Sequence, residues 1–284
     1  MGDLDVFPIG LGAMTLTQVM GYDEQRGIRT VHAALDAGVT LIDTADVYGP
    51  AGGYGVNELA VMKALALYPG STDHVIVSTK GGHIRLPDNT WWIDGRPEHL
   101  RRACEDSLRR LGFDALPLYF HHRPDPQIPY ADSMGAMRDL YDAGLIQRAG
   151  ISNANPERIR LARDILGDAL VAVQNEFSPR FRSSEPEIEL CAELGIAFSS
   201  WSPLGGMREA KGLGSAHGEF HAVAEARGVS PQRVALAWQL QKSPVVIPIP
   251  GASRPESVLD SVESVGFELS AEEFDRLEAS PFAG

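Results

Sequence analysis

Short apolar runs alternate with longer segments in which apolar residues recur every three or four positions along the chain. The short runs have the length that is usual for buried parallel strands, about 5–6 residues. The longer segments have the spacing of amphipathic helices. The predicted strands are residues 7–14, 39–45, 74–80, 116–122, 145–152, 170–175, 196–202 and 245–250.

The helical pattern is clearest in residues 97–111, whose apolar residues fall on one face. Pro97 suits the first position of a helix, and Gly112 suits the cap that follows its last turn. Further helices are predicted to begin after the N-cap residues Asn155, Ser230 and Ser270. Most of these helices lie between two predicted strands.

Strand followed by helix, about eight times over, indicates parallel strands joined by crossover helices. An open doubly wound sheet and a closed (β/α)8 barrel both have this order. The chain length of 284 residues is close to the ~250 residues that are typical of the barrel. No linker or change of composition divides the chain. We therefore predict one α/β domain over residues 1–284, a (β/α)8 TIM barrel with a short N-terminal extension and extra C-terminal helices.

Composition and charge narrow the range of partners. The formal net charge of −13 disfavours general binding to nucleic acid or to an anionic membrane surface, because phosphate groups would be repelled. No apolar run approaches the ~20 residues of a membrane span, and the N-terminal segment lacks the features of a signal peptide. Two scattered cysteines, Cys104 and Cys191, suggest a reducing compartment. We expect a cytoplasmic protein that acts on a small molecule, and the sequence does not indicate its oligomeric state.

Polar residues stand at the ends of the predicted strands, where barrels place their catalytic groups. These are Asp43, Tyr48, Lys80 and one histidine of the pair His121–His122. A cation beside a tyrosine, whose pKa is normally about 10, makes it a better proton donor and acceptor at neutral pH. In our interpretation Lys80 is this cation, held by Asp43, and a neutral histidine orients a carbonyl group toward the tyrosine. The set predicts the reduction of a carbonyl group.

Motifs over nearly the whole chain resemble, in order and spacing, the aldo-keto reductase family: IDTADVYG, STKGG, HRPDP, GISN, VQNEFSP, SPLGG and PIPGASRPE. The resemblance implies a (β/α)8 barrel that reduces aldehydes and ketones with NADPH. It also implies that the catalytic residues are Asp43, Tyr48, Lys80 and His122. Since the motif selects His122, we expect His121 to be buried with a backbone partner. No third ligand lies at a supporting spacing, so no metal site is predicted.

The resemblance also assigns residues to the nicotinamide end of the cofactor. Ser152, Asn153 and Gln174 match positions that bind the carboxamide, and Trp201 matches an aromatic position that is often tyrosine. The segment GLGAMT lacks the last glycine of a dinucleotide-binding fingerprint, so it is not taken as one. The family instead places its backbone, near Gly12 and Met14, close to the cofactor.

Later segments are assigned to the phosphates. The loop 202–214 resembles one that folds over the pyrophosphate, and Ser253 with Arg254 would bind the 2′-phosphate and favour NADPH over NADH. The implied cofactor-binding residues are Gly12, Met14, Ser152, Asn153, Gln174, Trp201, Ser202, Leu204, Gly206, Gly251, Ser253 and Arg254.

Loops on the same face of the barrel are predicted to bind the substrate. The candidates are Arg123 and the adjacent pair Trp91 and Trp92, of which one is expected to line the pocket, with Tyr22 and Tyr54 as further ones. The sequence does not indicate which tryptophan it is. Arg123 would pair with an anionic group of the substrate or, as the favoured alternative, contact Asp125 within its own loop.

The substrate itself is left open. The C-terminal portion resembles a short bacterial branch that includes pyridoxal reductases, which supports the hypothesis that pyridoxal is reduced. A carbonyl derived from a sugar or from secondary metabolism fits the sequence equally well. A barrel that holds NADPH in a regulatory role with little turnover is one alternative. An aldolase that forms a Schiff base through Lys80 is another.

Overall fold

Strands and helices alternate along the chain, as the sequence pattern predicts. The computed structural model describes residues 1–18, 22–50 and 52–281. Its strands are β1 Leu11–Gly12, β2 Leu41–Asp43, β3 Ile76–Gly81, β4 His83–Arg85, β5 Trp91–Ile93, β6 Leu118–His121, β7 Ala149–Ser152, β8 Leu170–Glu176, β9 Ala197–Trp201 and β10 Val246–Pro248.

The helices occupy the segments between these strands and the C-terminal part of the chain. They are α1 Met14–Thr17, α2 Glu24–Asp36, α3 Val56–Ala66, α4 Pro97–Leu111, α5 Tyr130–Asp142, α6 Pro156–Leu166, α7 Glu185–Leu194, α8 Gly206–Glu209, α9 Leu213–Ala216, α10 Gly218–Arg227, α11 Pro231–Lys242, α12 Pro255–Val262 and α13 Ala271–Glu278. Short 3₁₀ turns lie at Gly167–Ala169 and Ala210–Gly212.

The main sheet is parallel and closes on itself. Its strands follow the order β1-β2-β3-β6-β7-β8-β9-β10. The first and last strands join through bonds from the amide of Gly10 to the carbonyl of Pro248, 2.9 Å, and from Gly12 to Pro250, 3.0 Å. This closure confirms the predicted barrel and excludes the open doubly wound sheet. Closure also brings the carboxyl ends of all eight strands to one face, where polar residues can meet.

Two apolar layers hold the barrel together. The interior layer includes Phe120, Ile247 and Ile249, and the N-terminal residues Met1 and Leu4 pack against it. The predicted N-terminal extension thus covers the end of the barrel opposite the carboxyl ends of the strands. The second layer lies between the strands and the helices and contains most of the buried apolar residues. Each fully buried side chain of this size contributes about 1.5–3 kcal/mol to stability.

Local signals place the helices as predicted. Helix α4 has the predicted bounds, and Gly112 follows it with φ of 71°, a left-handed conformation that favours glycine. The side chain of Asn155 accepts from the amide of Arg158 at 3.0 Å. The N-caps Ser230 and Ser270 are also confirmed, the latter within a capping box. Such caps contribute about 1 kcal/mol each.

The hairpin formed by β4 and β5 was not predicted. Its strands pair antiparallel immediately after β3, with His83 opposite Ile93 and Arg85 opposite Trp91. The amide of Arg85 donates to the hydroxyl of Tyr54 at 2.9 Å, and its guanidinium donates to the carbonyl of Gly49. These bonds fix the hairpin against the segment between β2 and α3.

Within residues 1–18, 22–50 and 52–281, no helix is both long and apolar enough to cross a membrane.

Candidate active site

A buried ion pair lies at the carboxyl ends of β2 and β3. Asp43 is the last residue of β2, and Lys80 lies on the adjacent strand β3. The Lys80 ammonium donates to Asp43 Oδ2 at 2.6 Å and to the carbonyl of Thr44 at 2.8 Å. It lies 3.5 Å from the hydroxyl oxygen of Tyr48. The three side chains that the sequence analysis grouped are therefore in direct contact.

The carboxylate of Asp43 is held on its other side as well. Its Oδ1 accepts from the hydroxyl of Ser78 and from the Gln174 side-chain amide, both at 2.9 Å. Because three donors surround the carboxylate, the carboxylate and the ammonium can remain ionised although they are buried. Asp43 and Lys80 are 3% and 0% exposed.

Burial and the neighbouring charges together set the protonation state of Tyr48. Burial alone would lower the pKa of Lys80, but Asp43 and Tyr48 outweigh it and the pKa rises above its usual value, so the ammonium stays charged. Burial raises the pKa of Tyr48 more than Lys80 lowers it. The expected lowering of the Tyr48 pKa by Lys80 is thus present, but it is smaller than the increase caused by burial. At neutral pH Tyr48 keeps its proton and can only donate it.

His122 follows β6 and faces Tyr48. The two rings are 5.7 Å apart between centroids and meet edge to face. Burial, and then the charge of Lys80, hold the pKa of His122 well below its usual value, so the ring is neutral. Its Nδ1 is buried without a hydrogen-bond partner among the described residues. This geometry is that of a neutral donor or acceptor placed beside the tyrosine hydroxyl.

His121 occupies the opposite side of the strand end. It is fully buried, as expected, and its ring lies 5.8 Å from that of Tyr130. Neither ring nitrogen has a hydrogen-bond partner among the described residues, so the expected backbone partner was wrong.

Above Tyr48 and His122 opens a cleft of about 610 Å³. It contains most of the predicted site residues: Gly12, Met14, Asp43, Tyr48, Trp91, His122, Arg123, Ser152, Asn153, Gln174, Trp201, Ser202, Leu204, Gly206 and Gly251. The cleft lining does not include Lys80, Ser253, Arg254 or Trp92.

The cleft also shows what the substrate prediction missed. Of the two tryptophans, Trp91 lines the cleft and Trp92 does not. Trp92 is 55% exposed, since successive residues of a strand point to opposite faces. Tyr22 and Tyr54 do not line the cleft either. His83 was not predicted, although it follows the Lys80 strand directly. It stacks on Trp91 with centroids 4.6 Å apart and lies 4.9 Å from the ring of His122.

Asn57 is a second residue that the sequence analysis did not single out. It is fully buried on α3 and accepts from the hydroxyl of Thr44 at 2.6 Å. Its amide donates to the carbonyl of Ala13 at 2.8 Å and to Thr17 at 2.7 Å. The residue therefore joins the β1 and β2 loops and fixes the carbonyl that Lys80 contacts. A polar residue in the first turn of an apolar helix was the only signal in the sequence.

One wall of the cleft offers amide groups that suit a carboxamide. The hydroxyl of Ser152 donates to the backbone carbonyl of Gln174 at 2.7 Å, and the Asn153 amide donates to the carbonyl of His122 at 3.0 Å. Asn153 has φ of 58°, a left-handed conformation that asparagine tolerates. Among the described residues the side-chain oxygens of Asn153 and Gln174 have no donor. They are acceptors available to an amide NH₂, so this wall fits a nicotinamide.

The adjoining wall consists of the Trp201 ring and of the backbone turn that follows it. Trp201, at the end of β9, lines the cleft and has a buried indole N–H without a partner among the described residues. Beyond it Ser202, Gly205 and Gly206 have φ of 49°, 82° and 86°. The amide of Gly205 closes this turn by donating to the carbonyl of Ser202 at 2.8 Å, and Gly206 lines the cleft. A backbone turn of this kind can present an amide to a phosphate. The chemistry of both walls therefore fits a nicotinamide dinucleotide.

Arg254 lies outside the cleft, at the N-cap of α12. Its Nε donates to the hydroxyl of Ser257 at 3.1 Å, which points the guanidinium across the first turn of the helix. Ser253 precedes it. A guanidinium and amide groups at a helix start are suited to an anion, as predicted for this segment.

Arg123 does not contact Asp125, contrary to the favoured expectation. Asp125 instead accepts from the amides of Gly95 and Gln127 at 2.9 and 2.8 Å, so its oxygens are used within the backbone. The Arg123 guanidinium lies 6.0 Å from the ring of Trp201 and lines the cleft.

Comparisons with known proteins identify the family. A profile of the Aldo/keto reductase family matches residues 8–280. An uncharacterized oxidoreductase of Schizosaccharomyces pombe is 35% identical over 98% of this chain and 88% of its own. The chain therefore belongs to the aldo-keto reductase family, and it is an NADP-dependent oxidoreductase.

Solved structures show the same fold. The glycerol dehydrogenase of Gluconobacter oxydans superposes with a TM-score of 0.82 at 28% identity, covering 97% of this chain and 91% of that one. An aldo/keto reductase of Klebsiella pneumoniae, solved with NADP and acetate, has a TM-score of 0.79 at 28% identity, with coverages of 96% and 90%.

Proposed function

We propose that this protein reduces an aldehyde or ketone to an alcohol with NADPH, and that Tyr48 donates the proton. One observation carries the assignment of roles. The hydroxyl of Tyr48 lies at the floor of the cleft, 3.5 Å from the buried Lys80 ammonium and edge to face with neutral His122. Among the described residues that line the cleft, Tyr48 alone has a hydroxyl that is protonated at neutral pH and adjacent to a buried ammonium.

The chain's residues account for the steps of this reaction. The carbonyl oxygen accepts hydrogen bonds from Tyr48 and His122, which orients and polarises the C=O group. Bound NADPH supplies a hydride to the carbonyl carbon. As the C=O π electrons move to oxygen, Tyr48 transfers its proton there, and the alcohol forms. Lys80 stabilises the tyrosinate until solvent returns the proton, and Asp43 keeps Lys80 charged and in place.

The cofactor-binding roles follow the two walls of the cleft. Asn153 and Gln174 would accept from the carboxamide, which decides which face of the nicotinamide ring points at the substrate. Trp201 would support the ring. The Gly205–Gly206 turn would hold the pyrophosphate, and Arg254 the 2′-phosphate.

The aldolase alternative has less support. A Schiff base requires a neutral amine that reaches the substrate. Lys80 is 0% exposed, outside the cleft lining, and ion-paired with Asp43 at 2.6 Å. The alternative of a binding barrel with little turnover is disfavoured because Tyr48, Lys80 and His122 are assembled in contact.

For the substrate, reduction of pyridoxal remains the specific hypothesis. The resemblance of the C-terminal portion to pyridoxal reductases supports it. The aromatic rings of Trp91, His83 and Trp201 around the cleft suit a planar ring, and a carbonyl from a sugar or from secondary metabolism remains the alternative.

The test measures loss of NADPH absorbance by the purified protein with pyridoxal and with 4-nitrobenzaldehyde. Tyr48→Phe is expected to abolish turnover of both and to leave the dissociation constant for NADPH within about twofold, since only one hydroxyl is removed. More than a few per cent of residual activity would remove Tyr48 from the donor role. A higher kcat/KM for 4-nitrobenzaldehyde than for pyridoxal would remove pyridoxal as the preferred substrate.

A further inference from the structure

Arg123 carries a positive charge in the lining of the cleft. It follows His122 directly, so its position is fixed by the end of β6. Its guanidinium lies 6.0 Å from the ring of Trp201, a contact with an aromatic ring that leaves all its N–H donors available. Among the described residues Arg123 has neither an ion pair nor a side-chain hydrogen bond.

The remaining charges of the cleft do not compensate this cation. Of the described residues that line the cleft, Asp43 is the only carboxylate and Arg123 the only permanent cation. Asp43 already accepts from Lys80, Ser78 and Gln174. The ion pair of Asp43 with Lys80 is neutral overall, so the cleft keeps the unbalanced positive charge of Arg123.

Glu176 on β8 is an acidic residue that the charge of Arg123 affects. Burial raises its pKa, and the charges of Arg180 and Arg123 lower it, so the field of Arg123 reaches this carboxyl. No ion pair joins Glu176 to Arg123 within the described residues, and Glu176 does not line the cleft. It therefore cannot replace an anion bound inside the cleft.

His83 closes the space on the other side of His122. Its ring stacks on Trp91 and meets His122 edge to face at 4.9 Å. Burial, and then the charge of Arg123, lower the pKa of His83 to about 4, so it is neutral at neutral pH. It offers a ring nitrogen to the cleft but no charge.

We infer that the substrate carries an anionic group, such as a carboxylate, which Arg123 binds while the carbonyl group lies against Tyr48 and His122. The inference rests on the proposed reductase function and adds the chemical class of its substrate. A guanidinium in a partly enclosed, aromatic-lined cleft favours a planar carboxylate, because it presents two parallel donors. The residues proposed to bind the phosphates of the cofactor lie after β9 and β10, whereas Arg123 lies after β6. Arg123 is therefore not required for binding these phosphates.

The test compares kcat/KM for 4-formylbenzoate and for its neutral methyl ester, which present the same aldehyde. The wild-type protein is expected to prefer the anion by about tenfold or more. Arg123→Gln is expected to bring the ratio to about one, and Arg123→Lys to an intermediate value. Arg101→Gln removes an equal charge from the outer surface of α4 and should keep the wild-type ratio.

Two results would overturn the inference: a wild-type ratio near one, or a ratio that survives in Arg123→Gln. A loss of NADPH affinity in Arg123→Gln that equals the loss for the anionic aldehyde would also assign the residue to the cofactor instead. If neither aldehyde is reduced, a binding measurement tests the inference instead. Calorimetric titration of the protein–NADP⁺ complex should then show benzoate, but not benzamide, binding through Arg123. Equal binding of the two would reject the anion site whether or not the protein is a reductase.

Discussion

The ammonium of Lys80 lies 2.6 Å from the Asp43 carboxylate, and both side chains are buried, with Asp43 in the cleft lining and Lys80 behind it. Neither charge is exposed to water, so each depends on the other to remain ionised. The pair therefore fixes the charge next to Tyr48 and at the same time makes the stability of the protein depend on both residues.

Lys80→Met is expected to lower the free energy of unfolding by about 3–5 kcal/mol, because it leaves the Asp43 carboxylate buried and unpaired. Carbonyl reduction should be lost as well, since no cation remains to stabilise the tyrosinate. Urea unfolding followed by circular dichroism measures the first effect. The matched control is Lys63→Met, which breaks an ion pair with Glu24 whose side chains are 51% and 45% exposed. It should cost less than about 1 kcal/mol.

Replacing both members of the buried pair separates the cost of an unpaired charge from the cost of altered packing. The double variant Asp43→Leu/Lys80→Met should be less destabilised than the sum of the single variants, since no isolated charge remains. Strict additivity would show that the two residues do not depend on each other.

His121 provides a prediction about acid stability. Burial lowers its pKa to about 4, while Asp125 raises it and Arg158 lowers it further, and the ring of Tyr130 packs beside it. The folded-state pKa is below the ordinary value of 6.5, so the unfolded chain binds the proton more readily. The stability that neutral His121 contributes is therefore complete above about pH 6.5 and is lost as pH falls toward 4.

His121→Leu should weaken this dependence. Between pH 7 and pH 5 the wild-type protein should lose about 2 kcal/mol more of its unfolding free energy than the variant. At pH 7 the variant should be no less stable, because it removes two buried nitrogens that have no partner among the described residues. Since His121 does not line the cleft, turnover should persist. Equal pH dependence of the two proteins would contradict the assigned cause.

The strands and helices of the barrel could be predicted because local signals and burial agree. Strand β3 is buried at every position, and helix α4 has a proline at its start and a glycine after its end. The hairpin of β4 and β5 could not be predicted. Each of its strands has three residues, and Trp91 and Trp92 are exposed, so neither length nor alternation distinguishes them from a loop.

The proposed catalytic set could be grouped from the sequence because Asp43, Lys80 and His122 stand at or next to strand ends, which the barrel brings together. Tyr48 lies in the loop that follows β2. The family motif was needed to choose His122 over His121, since both follow an apolar run.

The partners of Asp125 could not be inferred, because one of them is the backbone amide of Gly95, 30 residues away. The lack of a hydrogen-bond partner for His121 among the described residues has no signal in the sequence either. His83 was missed because only the hairpin turns it toward the cleft.

Arg254→Ala is expected to raise the dissociation constant for NADPH about tenfold or more while changing that for NADH less than twofold. The guanidinium would contact only the 2′-phosphate, which NADH lacks, and a charge-assisted hydrogen bond of this kind contributes about 1.5–3 kcal/mol. Fluorescence titration with both cofactors measures the difference. Ser257→Ala is the companion variant, since it removes the 3.1 Å bond that orients the guanidinium, and it should show a smaller loss of the same selectivity. Equal losses for both cofactors would show that Arg254 does not distinguish them.

Trp201 provides the last prediction, which concerns the nicotinamide wall. Trp201→Ala should weaken NADPH binding about tenfold, because stacking on an aromatic ring is worth about 1–3 kcal/mol. Trp201→Tyr should retain most of the affinity, since the flat surface remains. Trp92→Ala serves as the control, because this tryptophan is 55% exposed and lies outside the cleft lining. Fluorescence titration with NADPH compares the variants, and unchanged affinity in Trp201→Ala would place the nicotinamide elsewhere in the cleft.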